Sequence, residues 1–170
     1  IVQLRDFGVD GGILYLVLDY VNGKDLATIT EAKSKRGVFL ETNRLVKIMT
    51  VVAQTLSYCH EQGIIHRDIK PANIILEQGT FAPFLVDFGV VKAASHSSRS
   101  HIEISDEALS SSGEIIGTPA FISPEQIDPL SEAGPFSDVW GFAATLFYCL
   151  TGQLPFPEGG GSLLIRLMTQ

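Results

Sequence analysis

His66-Arg67-Asp68-Ile69-Lys70-Pro71-Ala72-Asn73, with Asp87-Phe88-Gly89 following, sets two carboxylates, an ammonium and an amide close together in the chain. Asp68 and Asn73 stand five positions apart, a span that suits a loop whose two ends face one cleft. Asn73 and Asp87 offer the hard oxygens that magnesium prefers. Asp68 is placed to take up a hydroxyl proton, and Lys70 to sit against a terminal phosphate. The chemistry that uses such a set is phosphoryl transfer, in which a protein lines up donor and acceptor oxygens and neutralises charge with little covalent work of its own.

Further pieces follow in a fixed order: Gly117-Thr118-Pro119-Ala120-Phe121-Ile122-Ser123-Pro124-Glu125, then Asp138-Val139-Trp140-Gly141-Phe142, then Leu150-Thr151-Gly152-Gln153-Leu154-Pro155-Phe156. On these motifs the chain resembles the eukaryotic-type (Hanks-type) protein kinases, in particular the bacterial members of the serine/threonine branch, from Ile1 to Phe156. The resemblance implies an α+β, bilobal fold, with residues 1–20 as the last two strands of a small lobe and the start of a hinge, and residues 21–170 as an incomplete large lobe. It implies ATP and magnesium, with manganese as the alternative ion, and protein substrates that offer serine or threonine. Thr118 is expected to hydrogen-bond Asp68 and Lys70, which favours those acceptors. The family's glycine-rich loop, strand lysine and helix glutamate have no counterpart here. Gly159-Gly160-Gly161 lies after the catalytic motifs with no strand feeding it and reads as a loop. Ser162 to Gln170 resembles the start of a further helix. The chain is therefore expected to be an internal piece of a kinase domain, inactive by itself.

Ile1–Gly8 and Ile13–Tyr20 are strand-like, and Asp10-Gly11 between them signals a hairpin. By resemblance, Asp19 to Gly23 forms the hinge, with the backbone of Asp19 and Val21 on the adenine edge, Leu18 at the back of the pocket and Ile75 under the ring. Asp25 is expected either to hold the ribose hydroxyls or to serve as a carboxylate at a helix N-terminus. Leu4, His66 and Phe88 are expected to stack across the lobes, with His66 a packed ring rather than a base.

Thr42 precedes a helical pattern that runs to about Gln62, in which Leu45, Ile48, Met49, Val52, Leu56 and Cys59 mark one apolar face and Gly63 is the stop. Ile74–Leu76 and Phe84–Val86 read as short strands framing the loop. Ser137 is expected to cap the next helix, and Asp138 to tie that helix to the backbone of the catalytic loop. Glu125 normally pairs with a distant arginine, so here it is expected to lack its ion pair. Ala72 replaces the glutamate with which basophilic kinases read an upstream arginine, so no strong preference for basic substrates is expected through it.

Between Asp87 and Glu125 the chain carries many serines without apolar periodicity, the pattern of a mobile activation segment. Ser110 and Ser112 are the expected phosphosites, with Arg67 and Lys92 as the cations that a phosphoserine bridges.

The chain has 170 residues, is 45% hydrophobic and carries a net charge of −7, enough apolar content for one core and a balance that argues against nucleic acid. Cys59 and Cys149 lie far apart in apolar helical patterns, which points to a reducing compartment and no disulfide; Cys59-His60 reads as a thiol beside a helix end, not a metal site. No signal peptide or membrane span is visible, so a cytoplasmic location without membrane contact is expected, although a full-length protein could carry an anchor elsewhere. Two other classes remain open: a pseudokinase acting as a scaffold, and a small-molecule kinase of the same fold. The first is disfavoured because Asp68, Asn73 and Asp87 all persist, the second because Lys70 and the Gly-Thr…Ser-Pro-Glu segment are present.

Overall fold

Strands β1 (Leu4–Asp10) and β2 (Ile13–Leu18) pair antiparallel, with Asp10 opposite Ile13, in the computed structural model, which describes residues 1–88, 119–127 and 132–156. Gly11 and Gly12 form the turn with φ of 55° and 84°. Two successive positive values define the hairpin turn that matches strand twist, and only glycine adopts them without cost. The turn thus sits one residue beyond the Asp10-Gly11 pair read from the sequence, and Asp10 closes the strand.

A second sheet has the order β3-β4-β5, all antiparallel, from β3 (Gly23–Asp25), β4 (Ile74–Glu77) and β5 (Pro83–Leu85). Helix α1 (Leu26–Ser34) leaves β3 directly, with Asp25 as its N-cap. The hairpin reaches this sheet through its first residues, where the Val2 N–H donates to the Leu85 carbonyl at 3.2 Å.

Helix α2 (Thr42–Glu61) buries the whole stripe read from its periodicity: Leu45, Ile48, Met49, Val52, Leu56 and Cys59. Met49 is therefore a core residue. The N-cap is Glu41, and Thr42 is already helical. At the other end Gly63 has a φ of 72°. There the Gly63 N–H donates to the His60 carbonyl and the Ile64 N–H to the Cys59 carbonyl, both at 2.9 Å. This pair of bonds satisfies carbonyls that would otherwise lack partners and turns the chain toward the catalytic loop.

Helix α3 (Pro124–Ile127) is a single turn, and α4 (Pro135–Thr151) packs against α2. Proline at the first position of α4 makes Gly134 the N-cap. Ser137, expected as the cap, lies inside the first turn instead, where its Oγ accepts from the Gly134 N–H at 3.3 Å. The Cys149 thiol accepts from Thr30 Oγ1 at 3.6 Å, and burial pushes its pKa up to about 11. Gly141 lets α4 lie close against the catalytic loop, since a Cβ there would lie 2.6 Å from the Ile69 carbonyl oxygen.

His66 is fully buried where these elements meet. Its Nε2 lies 3.0 Å from the Val86 carbonyl and its ring centroid 4.5 Å from that of Phe88. The Asp68 N–H points at Nδ1 from 3.4 Å, so the ring fits its site as the neutral Nε2–H tautomer. Burial lowers its pKa below 6.5, against the opposing pull of Asp138, the Val86 carbonyl and Asp68. Leu4, expected to extend this stack, stands 49% exposed on the hairpin.

Two predictions follow from this packing. Gly141→Ala should destabilise the protein by about 1–3 kcal/mol in urea unfolding despite alanine's better helix propensity, because the added methyl meets backbone. The unfolded chain protonates His66 near 6.5 while the folded ring resists, so this contribution to stability is complete above that pH and declines as the pH falls below it. Glu125, whose pKa is lowered from 4.5, loses its own contribution only in a more acidic window. Urea midpoints measured against pH should therefore fall less steeply just below 6.5 in His66→Tyr than in the parent protein.

Candidate active site

The catalytic loop takes its shape from a carboxylate on another element. Asp138, in the first turn of α4, is fully buried. Its Oδ2 accepts from the His66 N–H at 2.9 Å, and its Oδ1 accepts from the Arg67 N–H at 2.7 Å. His60 Nε2, at the end of α2, lies 2.7 Å from Oδ2. The tie between Asp138 and the loop was expected; the part of His60 was not. A buried carboxylate does need more than one donor, which is the signal that a partner had to be found. Arg67 itself has a φ of 64°, a left-handed conformation that a non-glycine residue holds only when its surroundings impose it.

Past that bend, one oxygen of Asp68 gathers the neighbouring groups. Lys70 Nζ donates to Asp68 Oδ2 at 2.8 Å, and Asn73 Nδ2 donates to the same oxygen at 2.9 Å and to the Asp68 carbonyl at 2.8 Å. Asn73 is buried in the 3₁₀ turn Pro71–Asn73, so its amide is held firmly. With Nδ2 turned to Asp68, its Oδ1 is the atom left to meet a cation. The Val86 N–H donates to the Asn73 carbonyl at 3.1 Å, which brings the exit of β5, and Asp87 after it, to the same end of the β4/β5 pair. Asp87 is exposed and also left-handed, with a φ of 57°. An amide oxygen and a carboxylate fit magnesium, which takes one or two protein ligands and completes its shell with phosphates and water. No cluster of three His, Cys, Asp or Glu that could hold a metal ion occurs among the described residues.

The residues assigned to the nucleotide are placed less uniformly. Asp19 forms an ion pair with Arg5, with contacts of 2.6 and 3.1 Å, and its N–H donates to the Gln3 carbonyl at 2.9 Å. Asp19 and Val21 line a cleft of about 500 Å³ with Tyr20, Arg5, Glu77 and Phe84, and none of Asp68, Lys70, Asn73, Leu18, Asp25 or Ile75 reaches it. Asp25 and Ile75 sit side by side, as paired positions of β3 and β4. Both oxygens of Asp25 engage Thr28: Oδ1 accepts from its N–H at 2.8 Å and Oδ2 from its hydroxyl at 2.6 Å. Helix capping, one of the two roles read for Asp25, is thus the one its contacts display. Gly89, Lys92, Ser110, Ser112 and Thr118 lie outside the described residues, as do Gly159-Gly160-Gly161 and the helix expected from Ser162.

Glu125 takes a hydroxyl rather than a cation: its Oε1 accepts from Ser137 Oγ at 2.7 Å. Burial raises its pKa, but hydrogen bonds from Ser137, its own backbone and Ser123 outweigh that and leave it below 4.5. Ser137 therefore bridges the first turns of α3 and α4.

Residues 1–169 match the model of the protein kinase domain family. The chain is 33% identical over 166 residues to the serine/threonine-protein kinase PkaA of Streptomyces coelicolor, covering 96% of this chain and 27% of that protein. To the serine/threonine-protein kinase PknH of Mycobacterium tuberculosis it is 32% identical over 165 residues, covering 97% of this chain and 24% of PknH. It thus spans about a quarter of these relatives' length. Among solved structures, a cysteine-to-alanine mutant of the PknI kinase domain of Mycobacterium tuberculosis superposes with a TM-score of 0.69 at 25% identity, over 92% of this chain and 52% of that one. Matched over residues 1–169 and superposable on a solved kinase domain, this chain belongs to the protein kinase domain family.

Proposed function

We propose that this chain is the catalytic segment of a serine/threonine protein kinase that moves the γ-phosphoryl group of ATP to protein hydroxyls. The observation that carries this reading is the convergence of Lys70 and Asn73 on a single oxygen of Asp68, at 2.8 and 2.9 Å. That grip aims the carboxylate, which would take up the acceptor hydroxyl's proton. Lys70 would stand by the γ-phosphate, and Thr118 would steady Asp68 and Lys70 from the peptide side. Asn73 and Asp87 would hold magnesium, for which manganese is the alternative, and the ion when bound neutralises charge on the phosphates. Leu18, Ile75 and the backbone of Asp19 and Val21 would receive the adenine, with Asp25 near the ribose.

Residues 1–20 are read as small-lobe remnant and 21–170 as large lobe, acting in the cytoplasm. No helix among the described residues is long and apolar enough to cross a membrane. Phosphorylation of Ser110 or Ser112, bridged to Arg67 and Lys92, is the proposed control. Arg67 supports it by burying its Nε with no hydrogen-bond partner among the described residues, since an anion brought to that guanidinium would satisfy it.

The test uses the full-length protein with magnesium, labelled ATP and a generic protein substrate. Label on serine or threonine is the expected result; nucleotide binding without turnover would support a scaffold, and label on small alcohols alone a different substrate class. Asp68→Asn should cut turnover roughly a hundredfold or more with nucleotide affinity nearly unchanged, since the carboxylate meets the acceptor. Asp87→Asn should weaken magnesium-dependent nucleotide binding as well as rate. Identical behaviour of the two variants across a magnesium titration would sink this division of roles.

A further inference from the structure

The backbone enters Asp68 through two peptide units, and Asp138 holds the first of them. The Arg67 N–H is held by Asp138 Oδ1 at 2.7 Å. The N–H of the following unit, that of Asp68, faces His66 Nδ1 at 3.4 Å. The carbonyl of that unit accepts from Gln126 Nε2 at 2.7 Å, across 59 residues of sequence. Gln126 is secured in turn: its Oε1 accepts from the Ser123 hydroxyl at 3.1 Å and faces the Ser123 N–H at 3.3 Å. Ser123 is fully buried. The amide's orientation is dictated by these neighbours, because a carbonyl can only accept and a backbone N–H can only donate.

We infer that Gln126 is a positioning residue for Asp68, acting through the Arg67 carbonyl and coupling the Ser123–Ile127 segment to the catalytic loop. Arg67 is left-handed at a φ of 64°, a conformation that its surroundings must hold in place. Release of the Arg67 carbonyl would let the backbone entering Asp68 shift, and the Asp68 carboxylate with it. The Gln126 donor opposes that shift by gripping the carbonyl at 2.7 Å. No other side chain of α3 donates to the loop: Glu125 turns to Ser137. The proposal rests on the kinase reading for its catalytic consequence, while the contact itself does not.

Gln126→Glu is nearly isosteric and keeps an acceptor for Ser123 but loses the donor, so a carboxylate faces the Arg67 carbonyl. Gln126→Met removes both polar atoms at similar length and serves as a second variant without a new charge. In the full-length protein each should lower kcat about tenfold, the worth of one such hydrogen bond in transition-state terms, with KM for ATP unchanged. Hydrogen–deuterium exchange of the peptide covering residues 64–70 should quicken in both variants, and this arm needs no turnover. Wild-type kcat together with wild-type exchange in that peptide, in both variants, would overturn the inference. If the parent protein labels no protein substrate, the kinase reading fails on that result alone, and the exchange arm still decides whether Gln126 holds the loop.

Discussion

The buried carboxylate of Asp138 is the constraint on which the catalytic loop depends. Placing a carboxylate with no solvent exposure in an apolar helix costs several kcal/mol in desolvation unless donors meet it. Three do: the His66 and Arg67 N–H groups and the His60 ring. Hydrogen bonds to a charged group contribute about 1.5–3 kcal/mol each, whereas a left-handed non-glycine residue costs about 1–3 kcal/mol. The grip therefore outweighs the bend at Arg67, and the chain keeps a conformation it would not choose locally.

From that anchor the site is assembled by short-range geometry. Gly63 turns α2 into the loop, and Gly141 lets α4 approach the Ile69 carbonyl closely. Beyond Asp68, the 3₁₀ turn carries Asn73 back to the same carboxylate that Lys70 meets. The β4/β5 pair then returns the chain so that Asp87 emerges at the end where Asn73 lies. A loop of this kind leaves its side chains little room to wander, which is what alignment of reacting oxygens requires.

The stripe of α2 was readable because helical periodicity reports burial directly, and all six of its apolar positions are buried. The grouping of Asp68, Lys70 and Asn73 was readable because they stand within six positions of one loop. What was less legible has separate physical causes. Ser137 looked like a cap, yet Pro135 is the stronger signal and moves the cap to Gly134. The pairings of His60 with Asp138 and of Gln126 with Arg67 join segments 78 and 59 residues apart, and no local pattern encodes such contacts. Glu125 was read in terms of its ion pair, and a hydroxyl donor such as Ser137 carries no charge pattern that a sequence would display.

The interior thiols have a practical consequence. Cys59 and Cys149 are the two cysteines of the chain; both are buried, and burial raises the pKa of each. The thiolate is the species that attacks electrophiles, so in the closed fold both sulfurs are nearly inert at neutral pH. Alkylation must then wait for the helices to part, and the speed at which a maleimide or iodoacetamide marks the chain becomes a clock for its opening.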